Sequence, residues 1–285
     1  ESTNAICAAV QDAKQAVVDA RHLGDASAWW SSVFRSVAQR TGIDMSKQTI
    51  AVEVRPSLTI GGIATDEHGR AVNGAWSRWF TGLYAAGDAA CTGFHGVNAL
   101  PGNQLLDALG SGAAAGDHAG TWVKERKLSG SNIAQEDEEQ ANADFSALCE
   151  ASSEAVIRVG SVATKLRDAA RNALVGGRDA TSLANSIESL EALSVTAESI
   201  HLDQHSLIAN TNMIEISRIQ SGIRLTLAAA QSALSREETR GSHQRTDFAE
   251  QSEDLLHHTT VDQTGATSTL GLRKGTAGNW VLAPQ

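Results

Sequence analysis

The chain has 285 residues and a mass of 29.9 kDa, enough for one large hydrophobic core or two small ones. Hydrophobic residues make up 41% of it, and the net charge of −10 with a pI near 5.3 excludes a disordered chain and argues against a polyanionic partner such as nucleic acid. No apolar run is long enough to span a bilayer, and Cys7, Cys91 and Cys149 lie too far apart to read as a zinc or iron–sulfur motif.

In chain order, residues 1–49 read as helical. Ala5, Ile6, Ala9 and Val10 share one face, and a second helix is expected from Ala26 to Thr41 around Trp29, Trp30, Phe34 and Val37. The chain opens on Glu1 rather than Met, so an upstream segment is expected to have been removed or left out; no signal or transit sequence is legible. Residues 50–127 read as strands, turns and one helix. Ile50, Val52 and Val54 alternate as a strand that Pro56 ends, Gly61-Gly62 and His68-Gly69 carry turn chemistry, Leu83 to Ala86 is a short strand, and an Ala- and Gly-rich helix runs from Leu105.

Residues 128–142 are polar and acidic, a linker or an exposed helix start. Three apolar stripes follow within residues 143–242. Leu148, Ala151, Ala155, Val159, Val162, Leu166 and Ala169 form the first. Leu183, Ile187, Leu190 and Leu193 form the second, and Met213 to Leu234 the third. Steps of three or four predict helices, Gly176-Gly177 parts the first two, and three stripes predict a three-helix antiparallel bundle whose residues are core. Residues 243–285 are turn-rich, with short strands expected near Thr267–Leu272 and Trp280–Leu282. The fold class is thus α+β.

The central stretch reads RPSLTIGGIATDEHGR from Arg55, then GLYAAGDAACTGFHGVNALPGNQLLDALGSGAAAG ending at Gly116. It resembles the flavin- and dicarboxylate-binding core of the succinate dehydrogenase and fumarate reductase flavoproteins. Outlying blocks keep the family's order and spacing. VVDARHLG (from Val17) is similar to YLDLRHLG, and Gly42-Ile43-Asp44 with Lys47 and Ile50 is similar to GVDPxKEPIPV. REETRGSHQRTDF (from Arg236) is similar to RxESRGAHxRxDFP, and Leu256-His257-His258-Thr259 to WLKHT. The resemblance makes this the rear half of such a flavoprotein. Residues 1–49 become a capping-domain remnant, 50–127 the back of the flavin domain, 128–142 a linker, 143–242 the helical domain and 243–285 a C-terminal β region. The front half, with its Gly-rich pyrophosphate cradle, is not in the sequence; no GxGxxG occurs.

The resemblance also implies roles. Gly87-Asp88 stands at the family's Gly-Glu, which implies a carboxylate accepting from the flavin ribityl hydroxyls; a plain turn-closing Asp is the alternative. Asn103, Gln104 and Leu105 stand at N-S-L, where a helix start points N–H groups at the isoalloxazine. His95 to Leu100 stands at HGANRL, and Ala99 takes the place of the arginine that forks onto a substrate carboxylate. Ser57 takes the place of the histidine of HYTMGGI, a second carboxylate donor. Losing one partner of a desolvated charged pair costs about 2–5 kcal/mol, so two such losses cancel most of the roughly 8 kcal/mol of a micromolar complex. Arg55 or Arg78 could serve instead. His95 and His243 remain at family positions, for structural hydrogen bonds or for proton transfer. Arg236, Arg240 and Arg245 with Glu237, Glu238 and Asp247 form a mixed-charge group that ties bundle to flavin domain, or a solvated cluster.

Three functions follow as expectations. The first is a mainly structural subunit of a respiratory complex II with a degenerate dicarboxylate site. The second is the C-terminal chain of a split, active succinate dehydrogenase or fumarate reductase. The third, prompted by Ala90-Cys91-Thr92-Gly93, is an L-aspartate oxidase-like fragment. In each the chain is not catalytic alone. The implied cofactor is FAD, held only with a partner chain carrying the N-terminal FAD-binding half, or no cofactor. The implied partners are that chain, an iron–sulfur subunit and, indirectly, membrane-anchor subunits. The implied location is peripheral, on the matrix side of the mitochondrial inner membrane or the cytoplasmic face of a bacterial membrane.

Overall fold

The computed structural model describes residues 10, 16–24, 28–53, 58–72, 79–126, 132–150, 157–202, 206, 208–274 and 280–282. The expectations resting on Ala5, Ile6 and Ala9, on Val54 to Ser57, on residues 73–78 and on Ala151 and Ala155 lie outside them. The chain falls into two units: residues 1–56 with 175–177, and residues 57–174 with 178–285.

In the first unit, β1 (Ala16–Val18) pairs antiparallel with β2 (Ile50–Val52), Ala16 opposite Val52. Helix α1 spans Ser31–Thr41, starting later than the expected Ala26. Trp29 and Trp30 are exposed, so no buried face draws them into the helix. Gly42, left-handed at φ 73°, ends α1 by donating its N–H to Ala38 O.

The second unit opens with two small ladders. β3 (Ile63–Ala64) runs parallel to β6 (Ala90–Cys91), and β4 (Arg70–Val72) pairs antiparallel with β5 (Trp79–Tyr84). The expected strand at Leu83–Ala86 is instead the end of β5. Just beyond it the Ala85 N–H donates to Gly69 O, in register with the Arg70–Tyr84 pair. Helix α2 (Asn103–Lys124) follows, and α3 (Asn132–Glu150) begins inside the acidic stretch. The first apolar stripe does not belong to one helix. α4 spans Val159–Leu174, because Ile157 bridges Ile200 and accepts from the His201 N–H at 2.9 Å, holding the chain extended just before the helix.

α5 (Ala180–Glu198) and α6 (Thr211–Ser235) complete the bundle. Val162 near the start of α4 packs with Leu193 and Ala197 near the end of α5 and with Ile216 and Ile219 near the start of α6. Ala173, Leu190 and Ala230 make a second layer. The helices therefore run up, down and up, as the stripes predict. Asp179 opens α5 with a capping box through Ser182, and Asn210 caps α6 at Met213 N. The C-terminal sheet has the order β7 (His257–Val261), β8 (Thr267–Lys274), β9 (Trp280–Leu282), all antiparallel. β8 and β9 fall where strands are expected; β7 was legible only as a motif.

Residues 236–252 tie these parts together. Glu238 is fully buried, at 0% exposure, between Arg236 and Arg240, and accepts from the Ser252 N–H at 3.0 Å. Burial opposes its ionisation, yet the bonds from Arg240 and Arg236 win and hold its carboxyl below the usual range. Arg245 donates to Ala233 O, Leu234 O and Arg236 O, capping the end of α6, and forks onto Asp247 at 2.7 Å through both contacts. Asp247 also accepts from Ala180 N–H at the start of α5. His243 accepts from Arg178 Nη2 through Nδ1 at 3.0 Å and donates from Nε2 to Arg236 O. Its burial, helped by the Arg178 charge, lowers its pKa from 6.5 to about 4.

Two predictions follow from this network. Glu238→Ala leaves two guanidinium groups without their counter-charge and should lower unfolding free energy by about 3–5 kcal/mol, read from urea denaturation. The folded state refuses a His243 proton that the unfolded chain accepts, so this contribution is intact above pH 6.5 and declines as pH falls towards about 4. Urea midpoints measured from pH 7.5 to 4.5 should fall more steeply in the parent protein than in His243→Gln.

Candidate functional site

Short segments of the second unit meet at one cleft. They are the extended run Leu58–Gly61, the 3₁₀ turn Gly87–Ala89 with β6, the loop from Thr92 to Gly96, the α2 residue Asp107, and His258 of β7. The chain turns at Gly87 with φ of +58°, a conformation that suits glycine. Its N–H donates to Ser111 Oγ at 2.9 Å, and an added Cβ would lie 3.3 Å from Ala108. The small residues of α2 thus let the turn lie directly on the helix. Asp88, next in sequence, is exposed and presents its carboxylate at the cleft.

His95 forms the opposite chemistry. Its Nε2 lies 3.3 Å from Asp107 Oδ2, and the two side chains are only 12% and 7% exposed. Its Nδ1 is buried without a hydrogen-bond partner. Nearby, Cys91 Sγ is 3.7 Å from His258 Nδ1. Burial pushes the thiol up; burial, then the Arg236 charge and His257, push the imidazole down. The pair is therefore uncharged near neutrality, a thiol donating to an imidazole. Among the described lining residues the ionisable groups are Asp88, Cys91, His95, Asp107 and His258, with no lysine or arginine.

Of the residues singled out from the sequence, the cleft gathers Gly87, Asp88 and His95. Asn103, Gln104 and Leu105 form the first turn of α2, which no side chain caps. They and the half-buried Ala99 are not among the described lining residues. Leu105, Leu106 and Leu109 stay 59–68% exposed, an open apolar face at the head of α2. Ser57 lies outside the described residues, as do Arg55 and Arg78. Sequence reading missed Asp107 and His258 as site groups. Asp107 sits in an ordinary-looking LLD of a helix, and His258 in a motif read only for family likeness; nothing in the chain order brings either to the cleft.

The loop carrying His95 is fastened from the far end of the chain. Ser242 Oγ donates to Val97 O at 2.6 Å, and Gly241, with φ of +57°, packs on Val97 so closely that an added Cβ would lie 2.8 Å from Val97 Cβ. The charged group of residues 236–252 and the cleft loop are thus one mechanical piece.

The profile described as "FAD binding domain" matches residues 33–105, and that described as "Fumarate reductase flavoprotein C-term" matches residues 163–281. The fumarate reductase flavoprotein subunit of Mycobacterium tuberculosis is 31% identical over 216 residues, covering 74% of this chain and 36% of the relative. The succinate dehydrogenase flavoprotein subunit of Coxiella burnetii is 29% identical over 228 residues, covering 78% of this chain and 38% of the relative. Among solved structures, a FrdA variant of E. coli quinol fumarate reductase superposes with a TM-score of 0.79 at 21% identity, covering 95% of this chain and 44% of that one. The chain belongs to the succinate dehydrogenase/fumarate reductase flavoprotein family and spans less than two fifths of the length of these two curated relatives.

The fastening can be tested directly. Gly241→Ala should strain the left-handed turn and push Val97, destabilising by about 1–2 kcal/mol or more. Adding Val97→Ala should recover part of that loss, a non-zero coupling energy in a double-mutant cycle of thermal unfolding.

Proposed function

We propose that this chain forms the rear part of a succinate dehydrogenase/fumarate reductase-type flavoprotein, keeping the flavin-facing scaffold while its grip on dicarboxylates is degenerate. The role is then mainly structural, within an assembly of the complex II kind. The observation that carries this reading is the composition of the cleft: two carboxylates, two imidazoles and a neutral thiol, with no cation among its described residues. A dianion brought there meets negative charge without a guanidinium to pair it. Ala99 at the place of the family arginine, and Ser57 at that of its histidine, supply the reason.

The chain's own residues fit a flavin. Asp88 offers acceptor oxygens for ribityl hydroxyls. Gly87 brings the turn backbone onto α2, and the start of α2, which no side chain caps, offers a positive dipole end at Gln104 and Leu105, the Asn103 N–H already donating to Leu100 O. When bound, FAD would supply hydride transfer; these residues would bind and orient it. The pyrophosphate end needs a Gly-rich cradle from residues outside this sequence, on the same polypeptide or on a partner chain. The open apolar face of Leu105, Leu106 and Leu109 is the surface such a domain would cover. An iron–sulfur subunit and, through it, membrane anchors complete the proposed assembly. No described helix is long and apolar enough to cross a membrane, which is compatible with peripheral attachment.

The second reading is an active, split succinate dehydrogenase or fumarate reductase, favoured by the ordered match of both family profiles. The two readings separate in one experiment. In the assembly with its FAD-binding half, succinate and fumarate should leave the flavin spectrum unchanged at micromolar concentration. Ala99→Arg with Ser57→His should restore a dicarboxylate-dependent spectral shift. Succinate-dependent dye reduction by the parent assembly, abolished by Asp88→Ala, would reject the structural reading.

A further inference from the structure

We infer that His243 is a proton-operated latch on the cleft: its neutral ring holds the turn of residues 240–243 against the loop that carries His95, and a second ring proton releases that loop. The latch consists of contacts within this chain and is independent of whether a flavin binds.

Both ring nitrogens are committed. A guanidinium only donates, so Arg178 Nη2, 3.0 Å from Nδ1, needs a lone pair there. A carbonyl only accepts, so Arg236 O, 3.2 Å from Nε2, needs the one proton of the neutral ring. A second proton therefore falls on Nδ1 and sets two donors and two positive charges against each other. The charged groups around the ring bring no relief. Glu238 is engaged by Arg236 and Arg240, and Asp247 by Arg245. Arg178 is buried, meets Ala173 O and the His243 ring, and has no described carboxylate on it. The protonated ring must leave.

Its departure reaches the cleft through the turn it belongs to. Arg240 and His243 exchange backbone hydrogen bonds at 2.8 and 3.0 Å, which closes the turn. At its tip Ser242 gives Val97 O two bonds, from N–H at 3.3 Å and from Oγ at 2.6 Å, and Gly241 packs on Val97. Moving the ring moves these contacts. Gly93, Phe94, His95 and Gly96 line the cleft just before Val97, and their own backbone bonds, Gly96 N–H to Gly93 O and Asn98 N–H to His95 O, are local. The loop's other ionisable contact, His95 with Asp107, has the opposite sign: a proton on His95 faces a carboxylate and tightens the loop. Burial and the Arg178 charge lower the His243 value from 6.5 to about 4 while the turn is seated. Closure is thus intact above pH 6.5 and is lost as pH falls towards about 4.

Amide hydrogen exchange of the 285-residue chain, corrected for the intrinsic pH dependence of exchange, tests this. From pH 7.5 to 4.5 the opening constant at Gly96, Asn98 and Ser242 should rise about fiftyfold, with little dependence on added urea, the mark of a local opening. Leu190 and Ile219 in the bundle core should stay at least about tenfold better protected at each pH. His243→Gln offers Arg178 an amide oxygen and Arg236 O an amide N–H without titrating, and should hold the loop's opening within about threefold across that range. If that variant does not fold, NMR of the parent's His243 ring decides: its protonation and the loop's opening should follow one curve. Ser242→Ala removes the Oγ bond and should open the loop about fivefold more at both pH values, with the same ratio between them. Loop amides without protection at pH 7.5, an opening constant that ignores pH, or an undiminished rise in His243→Gln would each overturn the latch. So would loop amides that exchange with the rate and urea dependence of the core, since the whole chain would then be unfolding.

Discussion

The fold turns on one buried carboxylate. Glu238 has no solvent, so its charge persists only because Arg236, Arg240 and the Ser252 N–H surround it. That clamp shapes the chain just after α6. Within the same segment Arg245 closes the end of α6, Asp247 opens α5, and Gly241 with Ser242 seats on the loop that carries His95. The bundle is therefore more than ballast. It holds the cleft loop in place by a chain of charge-assisted bonds that tolerate little displacement. His243 sits inside this cationic surrounding as a neutral ring, accepting from one arginine while donating to a backbone carbonyl, a role a protonated imidazole could not fill.

The cleft shows the reverse economy of charge. Four arginines crowd the tie between domains, yet none of the described lining residues of the cleft is cationic. Around the cleft lie a left-handed glycine pressed on a small-residue helix, an exposed aspartate beside it, and a helix start without a side-chain cap. The Cys91–His258 contact belongs to the same pattern, since both partners are held neutral by burial.

Much of the architecture was legible because it repeats. The stripes Leu183, Leu190, Leu193 and Ile216, Ile219, Ile223 bury as their spacing requires, and the up-down-up order follows from short connections. Local forces misled where long-range ones overrule them. The apolar steps leading into Val159 continue a helical period on paper, but the Ile157–Ile200 bridge lies just before α4. Trp29 and Trp30 look like a helix face, but nothing covers them.

Residue order alone pointed to the family, the three-helix bundle and the Gly-Asp turn. Each is a matter of residue type at a local spacing, which needs no third dimension. Only the tertiary structure decided that Asp107 meets His95, that His258 meets Cys91, and that Gly241 presses on Val97. Those pairs join segments 12, 167 and 144 positions apart, and separation along the chain carries no physical signal of which side chains will share one buried place.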